Sequence, residues 1–277
     1  MSFDENVSTH YTHGNLLRAV RTGIEQLGKT QNSITIEDLA PVDEFHIGGR
    51  QASEEFLDQL NFSSEDHVID VGCGLAGSSR FVAKRYNSRV TGIDLTTEYI
   101  ETGEALCSWV GLNELITLHQ GSALNMSFDD GVFDGGYMMH VGMNIKDKLG
   151  LYKEIYRVLR PGAIFGVYDV MQIEEGELMY PVPWATNSNE SEVVSPEQYK
   201  QALQEAGFTV IKERDRHEFA KSFFEELQKN TSSSSGPPPL GLHIIMGNNA
   251  ITKVKNMVKN VSAGIIAPVE LIAQKIN

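Results

Sequence analysis

Cysteine is scarce in this 277-residue chain, which holds only Cys73 and Cys107. Two cysteines cannot build a disulfide framework, and no Cys/His cluster has metal-ligand spacing. Basic residues are also short: 23 Lys and Arg stand against 37 Asp and Glu, for a net charge of −14. That balance argues against a nucleic-acid partner, which needs clustered Lys and Arg to displace counterions from phosphate. No apolar run approaches the ~18 residues of a membrane span. The opening Met1-Ser-Phe-Asp-Glu lacks the basic and apolar regions of a signal peptide, so a cytoplasmic location is expected. What is present is ordinary globular composition, 41% hydrophobic and 22% charged, sized for one large domain or two small ones.

Residues 1–62 read as a helical cap. Leu16, Leu17, Val20, Ile24 and Leu27 share one helical face that should stop at Gly28. Residues 38–49 look turn-rich, and a second helix is expected from about Ala52 to Leu60. From His67 apolar runs alternate with helical segments. Val68–Val71, Val90–Asp94, Ile116–His119, Gly131–His140 and Ala163–Val170 read as strands, and helices are expected at 78–86, 98–110 and 145–159. That rhythm predicts parallel strands joined by right-handed crossovers, a doubly wound α/β sheet with its core over 63–170. Residues 171–195 leave the rhythm and read as a long functional or mobile loop. Ser195-Pro196 starts a helix over 196–206, a strand follows at 208–213, and 196–216 with 263–277 completes the sheet. Residues 217–262 read as a second insertion; Thr231–Pro239 is a flexible breaker, and a helix is expected at 249–260.

Gly72-x-Gly74-x-x-Gly77 lies between a strand and a helix, the context in which that spacing carries meaning. Glycines allow a sharp turn and close ligand approach, and helix N–H groups then face the ligand. A dinucleotide site and a site for S-adenosylmethionine are the rival readings. Asp70, two positions before the first glycine, separates them: beside a pyrophosphate it meets like charge, whereas a ligand ammonium satisfies it. Asp94, at the end of the second strand, can accept both ribose hydroxyls, and Gly121-Ser122-Ala123 falls at the adenine edge. The plainer alternative has Asp70 and Asp94 capping the turn and the helix that follow them.

Val68-Ile-Asp-Val-Gly-Cys-Gly-Leu-Ala-Gly77 with Thr91-Gly-Ile-Asp94 resembles the first two motifs of class I S-adenosylmethionine-dependent methyltransferases. Phe133-Asp134, Arg157-Val-Leu-Arg-Pro-Gly162 and Ala206-Gly-Phe208 resemble the later ones. The resemblance implies a Rossmann-like seven-stranded sheet whose last strand, near 269–274, is antiparallel. His46-Ile-Gly-Gly49, Met139-His-Val-Gly-Met-Asn-Ile145 and Ile266-Ala-Pro-Val-Glu270 are similar to the branch with sarcosine/dimethylglycine and phosphoethanolamine N-methyltransferases. It implies S-adenosyl-L-methionine as cofactor, held by Asp70, Gly72, Cys73, Gly74, Asp94, Leu95, Ser122, Ala123 and Met139. Tyr11, His46 and Ile47 would fold over it from the cap. Ser122 departs from the acidic residue common there, and Ala76 replaces the glycine expected before Gly77.

Methyl transfer from a sulfonium is an in-line displacement, so positioning supplies much of the rate. An amine nucleophile must be neutral, which calls for a base or for binding of the free amine. His140, with an ordinary pKa near ~6.5, is the leading candidate, with Asn144 and Tyr11 as companions. His10, His13 and His243 are read as cap or surface residues. Residues 171–195 carry Glu174, Glu175, Glu177, Glu190 and Glu192 with no Lys or Arg, which weighs against a phosphorylated acceptor. Tyr180 and Trp184 form either an aromatic face for a cation or packing beneath the loop. Met138, Met139, Met143, Met171 and Met179 suit an adaptable apolar pocket or simple core filling. The expected acceptor is a small molecule methylated on an amine nitrogen, of the glycine, sarcosine or dimethylglycine type. Carbon or oxygen methylation of a quinone- or terpenoid-like acceptor is the alternative within the enzyme class. A non-catalytic cofactor-binding module or a nucleotide-dependent oxidoreductase is the alternative outside it.

Overall fold

The apolar runs become the strands of one sheet. In the computed structural model, which describes residues 8–12, 14–232 and 236–276, these are β1 (His67–Val71), β2 (Arg89–Asp94), β3 (Ile116–Gln120), β4 (Phe133–Met139), β5 (Leu159–Gln172), β6 (Phe208–Asp215) and β7 (Ile266–Lys275). Their order is β3-β2-β1-β4-β5-β7-β6, with β7 antiparallel to both β5 and β6. The doubly wound sheet with an inserted antiparallel last strand is therefore as expected. His13, the opening residues 1–5 and residues 233–235 of the serine run lie outside the described residues.

Ten helices surround the sheet among the described residues: α1 (Leu16–Gln26), α2 (Ile36–Asp43), α3 (Gly49–Leu57), α4 (Gly77–Tyr86), α5 (Thr97–Trp109), α6 (Lys148–Val158), α7 (Pro196–Glu205), α8 (His217–Ser232), α9 (His243–Met246) and α10 (Ala250–Ser262). Alternation along each strand supplies two cores. Val68 of β1 and Tyr168 of β5 pack with Phe56 and Val82 on one face. Ile69 and Val71 of β1, with Phe165 and Val167 of β5, pack with Leu151, Ile155 and Leu203 on the other. Layers of helix on both faces bury the sheet, which is why its strands are nearly continuous apolar runs. No described helix is long and apolar enough to cross a membrane.

Local signals explain the boundaries. Gly28, at φ +71°, follows α1, and Ser195 caps α7 reciprocally with Gln198. The turn-rich reading of 38–49 is corrected in its first half. Thr35 and Asp38 form a capping box, and α2 continues through Pro41, at the loss of one intrahelical hydrogen bond. Pro161 and Gly162 fall within β5, where the pairing with β4 jumps from Phe133↔Leu159 to Gly135↔Ile164. α8 was not anticipated, although Ala220, Phe224 and Leu227 recur at helical spacing.

A candidate active site at the carboxyl ends of the strands

The glycine turn is built as its spacing demands. Gly72 takes φ +74°, and a Cβ there would meet the Val141 side chain at 2.4 Å. A Cβ on Gly77 would meet the Asp43 carbonyl oxygen at 2.6 Å, so the third glycine seats the end of α2 against the start of α4. Asp43 also pairs with the buried Arg80 of α4, which fixes that contact. Ala76, in the place of the expected glycine, holds φ 63°. That left-handed backbone costs about 1 kcal/mol in a residue with a Cβ.

Two carboxylates flank the turn. Asp70, 1% exposed, accepts hydrogen bonds at Oδ2 from Ser78 (2.9 Å), Ser79 (2.6 Å) and Tyr137 (3.0 Å). Burial pushes its pKa up to about 6 against the pull of those three donors. Asp94 accepts from Gly74 N–H at 3.0 Å and Thr96 N–H at 2.9 Å, one on each oxygen. Burial raises it too. The plain capping role is met by Asp94, which takes backbone N–H donors, whereas the Asp70 donors are side-chain hydroxyls. Both carboxylates also line one cleft with Gly72, Cys73, Gly74, Leu95, Ser122, Ala123 and Met139.

The cap covers this cleft and opens a second space behind it. Tyr11, Phe45, His46 and His140 line both the cleft and an adjoining cavity of about 550 Å³. The cavity wall is apolar and aromatic: Met143, Trp184, Phe223, Phe224, Met246 and Met257 contribute to it. Those residues come from the turn after β4, the long loop, α8, α9 and α10, so the two insertions wrap one space. The polar side chains of its wall include Glu44 and Arg50, paired with each other at 2.9 Å. The five loop glutamates line neither space.

His46 and Glu44 form a small network in the shared wall. The His46 side chain is 6% exposed, and its Nε2 lies 3.1 Å from Gly49 O, 3.1 Å from Ser53 Oγ and 3.4 Å from Glu44 Oε2. Burial pulls its pKa down to about 4, and the Arg50 charge pulls the same way against the Gly49 carbonyl. Burial raises Glu44, opposed chiefly by Arg50.

The residues predicted for catalysis converge, with altered chemistry. His140 follows β4 at φ 57°, its ring tilted against Tyr168 at 5.3 Å and edge-on to His46 at 5.9 Å. Its Nε2 is buried without a partner, and burial, then His46, hold its pKa well below 6.5. The ordinary histidine pKa on which its role as a base rested does not apply in this environment. Tyr11 donates its hydroxyl to Asn144 Oδ1 at 3.4 Å, and burial raises its pKa far enough to keep it protonated. Ile47 is corrected: it lines the second cavity and not the cleft, and its carbonyl accepts from Tyr168 OH at 2.8 Å. Tyr180 packs against the core, whereas Trp184 both packs and faces the cavity, donating its Nε1–H to Ser191 Oγ at 2.9 Å. Of the five methionines named, Met138 and Met171 are core, Met179 is 51% exposed, Met139 reaches the cleft and Met143 the cavity. Sequence reasoning missed Phe45, Tyr99 and Ile245 in the cleft and Met246 and Met257 in the cavity. Tyr99 stood on the apolar face of α5, but nothing local marked the others.

Comparison with known proteins agrees with this architecture. The family described as "Methyltransferase domain" matches residues 69–167. A sterol 24-C-methyltransferase of Eremothecium gossypii is 30% identical over 164 residues, 57% of this chain and 44% of that one. A probable tocopherol O-methyltransferase of Oryza sativa is 41% identical over 96 residues, 35% of this chain and 26% of that one. The chain thus spans less than half the length of either relative. Geranyl diphosphate C-methyltransferase of Streptomyces coelicolor, solved with S-adenosyl-L-homocysteine, aligns over 100% of this chain and 99% of its own, at TM-score 0.70 and 17% identity. A putative sarcosine dimethylglycine methyltransferase of Galdieria sulphuraria aligns over 94% and 98%, at TM-score 0.68 and 16% identity. Residues 69–167 match the methyltransferase-domain family, and the whole described chain takes the fold of class I S-adenosylmethionine-dependent methyltransferases.

Proposed function

We propose that the chain methylates a lipophilic small molecule with S-adenosyl-L-methionine as the methyl source. The cofactor supplies an electrophilic methyl group on a sulfonium. Asp94 accepts its ribose hydroxyls and Asp70 meets its ammonium, the two carboxylates whose chemistry the glycine turn brings together. The observation that carries the acceptor class is the second cavity. At about 550 Å³ it suits a drug-sized ligand, and Phe223, Phe224, Trp184 and three methionines offer it apolar surface. Glycine, sarcosine or dimethylglycine would leave most of that space empty. The carboxylate of such an amino acid also needs a cation, and the guanidinium of the wall, Arg50, has its charge shared with Glu44 through Nη2, while its Nε and Nη1 are unpartnered. Relatives and structural neighbours named for sterol, tocopherol and geranyl diphosphate methylation support the same reading.

The four shared residues mark the place of transfer. Tyr11, Phe45, His46 and His140 line both spaces, so a methyl group passing from cofactor to acceptor would cross between them. The test is transfer of labelled methyl from S-adenosylmethionine to a panel of alkylphenols, prenylated quinols and terpenoids, run beside glycine, sarcosine, dimethylglycine and phosphoethanolamine. Turnover of the lipophilic set is expected. Turnover of the amines alone overturns the proposal.

A further inference from the structure

We propose that His46 is the proton acceptor for a hydroxyl group on the acceptor, with Glu44 as its positioning partner, so that the substrate is a lipophile bearing a phenolic or enolic hydroxyl. The inference rests on the lipophilic reading above and narrows it to oxygen methylation.

The tautomer of His46 follows from its neighbours. Gly49 O can only accept a hydrogen bond, and Ser53 donates its own hydroxyl to Glu44 at 2.5 Å. Nε2 therefore carries the ring hydrogen, and Nδ1 keeps the lone pair. Nδ1 makes no hydrogen bond to any described residue, and the ring stands in the wall common to cleft and cavity. A bare acceptor nitrogen in an apolar wall selects a ligand that brings a donor.

His46 is also equipped to hold the positive charge it would gain. Glu44 Oε2 lies 3.4 Å behind Nε2, and Arg50 and Ser53 hold that carboxylate in place. His140, the other imidazole of the shared wall, has no such support: its Nε2 is buried and unpartnered. In the step itself the hydroxyl oxygen forms its bond to the methyl carbon as the carbon–sulfur bond breaks, the electron pair staying on sulfur. The hydroxyl proton passes to Nδ1, leaving a methyl ether, a neutral thioether and an imidazolium beside Glu44. His46 returns the proton to water when the product leaves. Burial makes His46 a weak base. A weak base suffices here, because the attacking oxygen becomes strongly acidic as its new bond forms.

The test measures binding as well as turnover. Calorimetry on the complex with S-adenosylhomocysteine compares a para-alkylphenol with the matching alkylbenzene. Wild type is expected to prefer the phenol about tenfold. His46→Leu should lose that preference, keep its affinity for the alkylbenzene, and lose about a hundredfold in kcat measured at saturating S-adenosylmethionine. Glu44→Gln should keep the binding preference and lose kcat. Unchanged preference in His46→Leu overturns the role of His46, and wild-type kcat in Glu44→Gln overturns that of Glu44. Binding of neither ligand by wild type defeats the lipophilic reading itself, and this inference with it. If His46→Leu does not melt cooperatively, His46→Phe carries the same comparison.

Discussion

The hydroxyl of Tyr11 reaches Asn144 Oδ1 across the mouth of the cleft, at 3.4 Å, joining the N-terminal cap to the turn after β4. The cap is tied down a second time, because Glu98 of α5 accepts the backbone N–H groups of Gly14 and Leu16 at 2.9 and 2.8 Å. The clasp therefore closes over the cleft from a fixed anchor. Tyr11→Phe keeps the ring contacts with Phe45 and Tyr99 and removes one long hydrogen bond. S-adenosylmethionine should bind less than tenfold more weakly, with the loss in the dissociation rate measured by stopped flow. The pH profile of the rate should not move, since Tyr11 is protonated throughout.

Asp94→Ala removes the acceptor of both Gly74 N–H and Thr96 N–H along with the proposed ribose contacts. Two charge-assisted hydrogen bonds to a ligand amount to about 3 kcal/mol, roughly a hundredfold in affinity. Calorimetry with S-adenosylhomocysteine should show that loss while far-UV circular dichroism stays native. Unchanged affinity would remove Asp94 from the ribose site.

Asp70 gives cofactor binding a pH dependence of definite sign. Its pKa in the free protein is about 6, and a ligand ammonium favours the ionised form. Affinity should therefore hold above pH 7 and fall as pH drops through 6, approaching tenfold per unit. In Asp70→Asn the curve should be flat across that window. A wild-type curve without the inflection would place the ammonium elsewhere.

Asp169, on β5, is fully buried, accepts from Tyr199 OH at 2.9 Å and is pushed by burial up to about 6. A carboxyl raised in the folded state binds its proton more tightly there than in the unfolded chain. Its ionisation thus withdraws stability as pH rises from about 4 to about 6, and the cost persists above that. Two pKa units correspond to about 3 kcal/mol. Asp169→Asn should melt higher than wild type at pH 8, with the gap shrinking at pH 5. An Asn variant less stable at pH 8 would show that the Tyr199 contact outweighs desolvation.

The cofactor half of the site was legible because its determinants are local. Val68–Val71 announces a buried strand, Gly72, Gly74 and Gly77 announce the turn, and Asp70 and Asp94 stand at fixed offsets from them. The structure gathers Asp70, Gly72, Gly74 and Asp94 in one cleft. The second cavity was not legible, because Phe45, Trp184, Phe223, Met246 and Met257 lie far apart in sequence and share a wall only through tertiary packing. Ile47 shows the limit at single-residue scale: His46 lines both spaces, whereas Ile47, one position on, lines only the second. His140 was found, but its environment, which decides its chemistry, depends on Tyr168 and His46 from distant segments.

The seat that Gly77 provides for Asp43 O has a wider consequence. Phe45 and His46 follow directly on α2, and the end of α2 is braced against the very loop that carries the cofactor turn. Any displacement of that brace unroofs both chambers together. On the proposed function, the acceptor and the demethylated cofactor would pass the same four residues, Tyr11, Phe45, His46 and His140, that line both chambers.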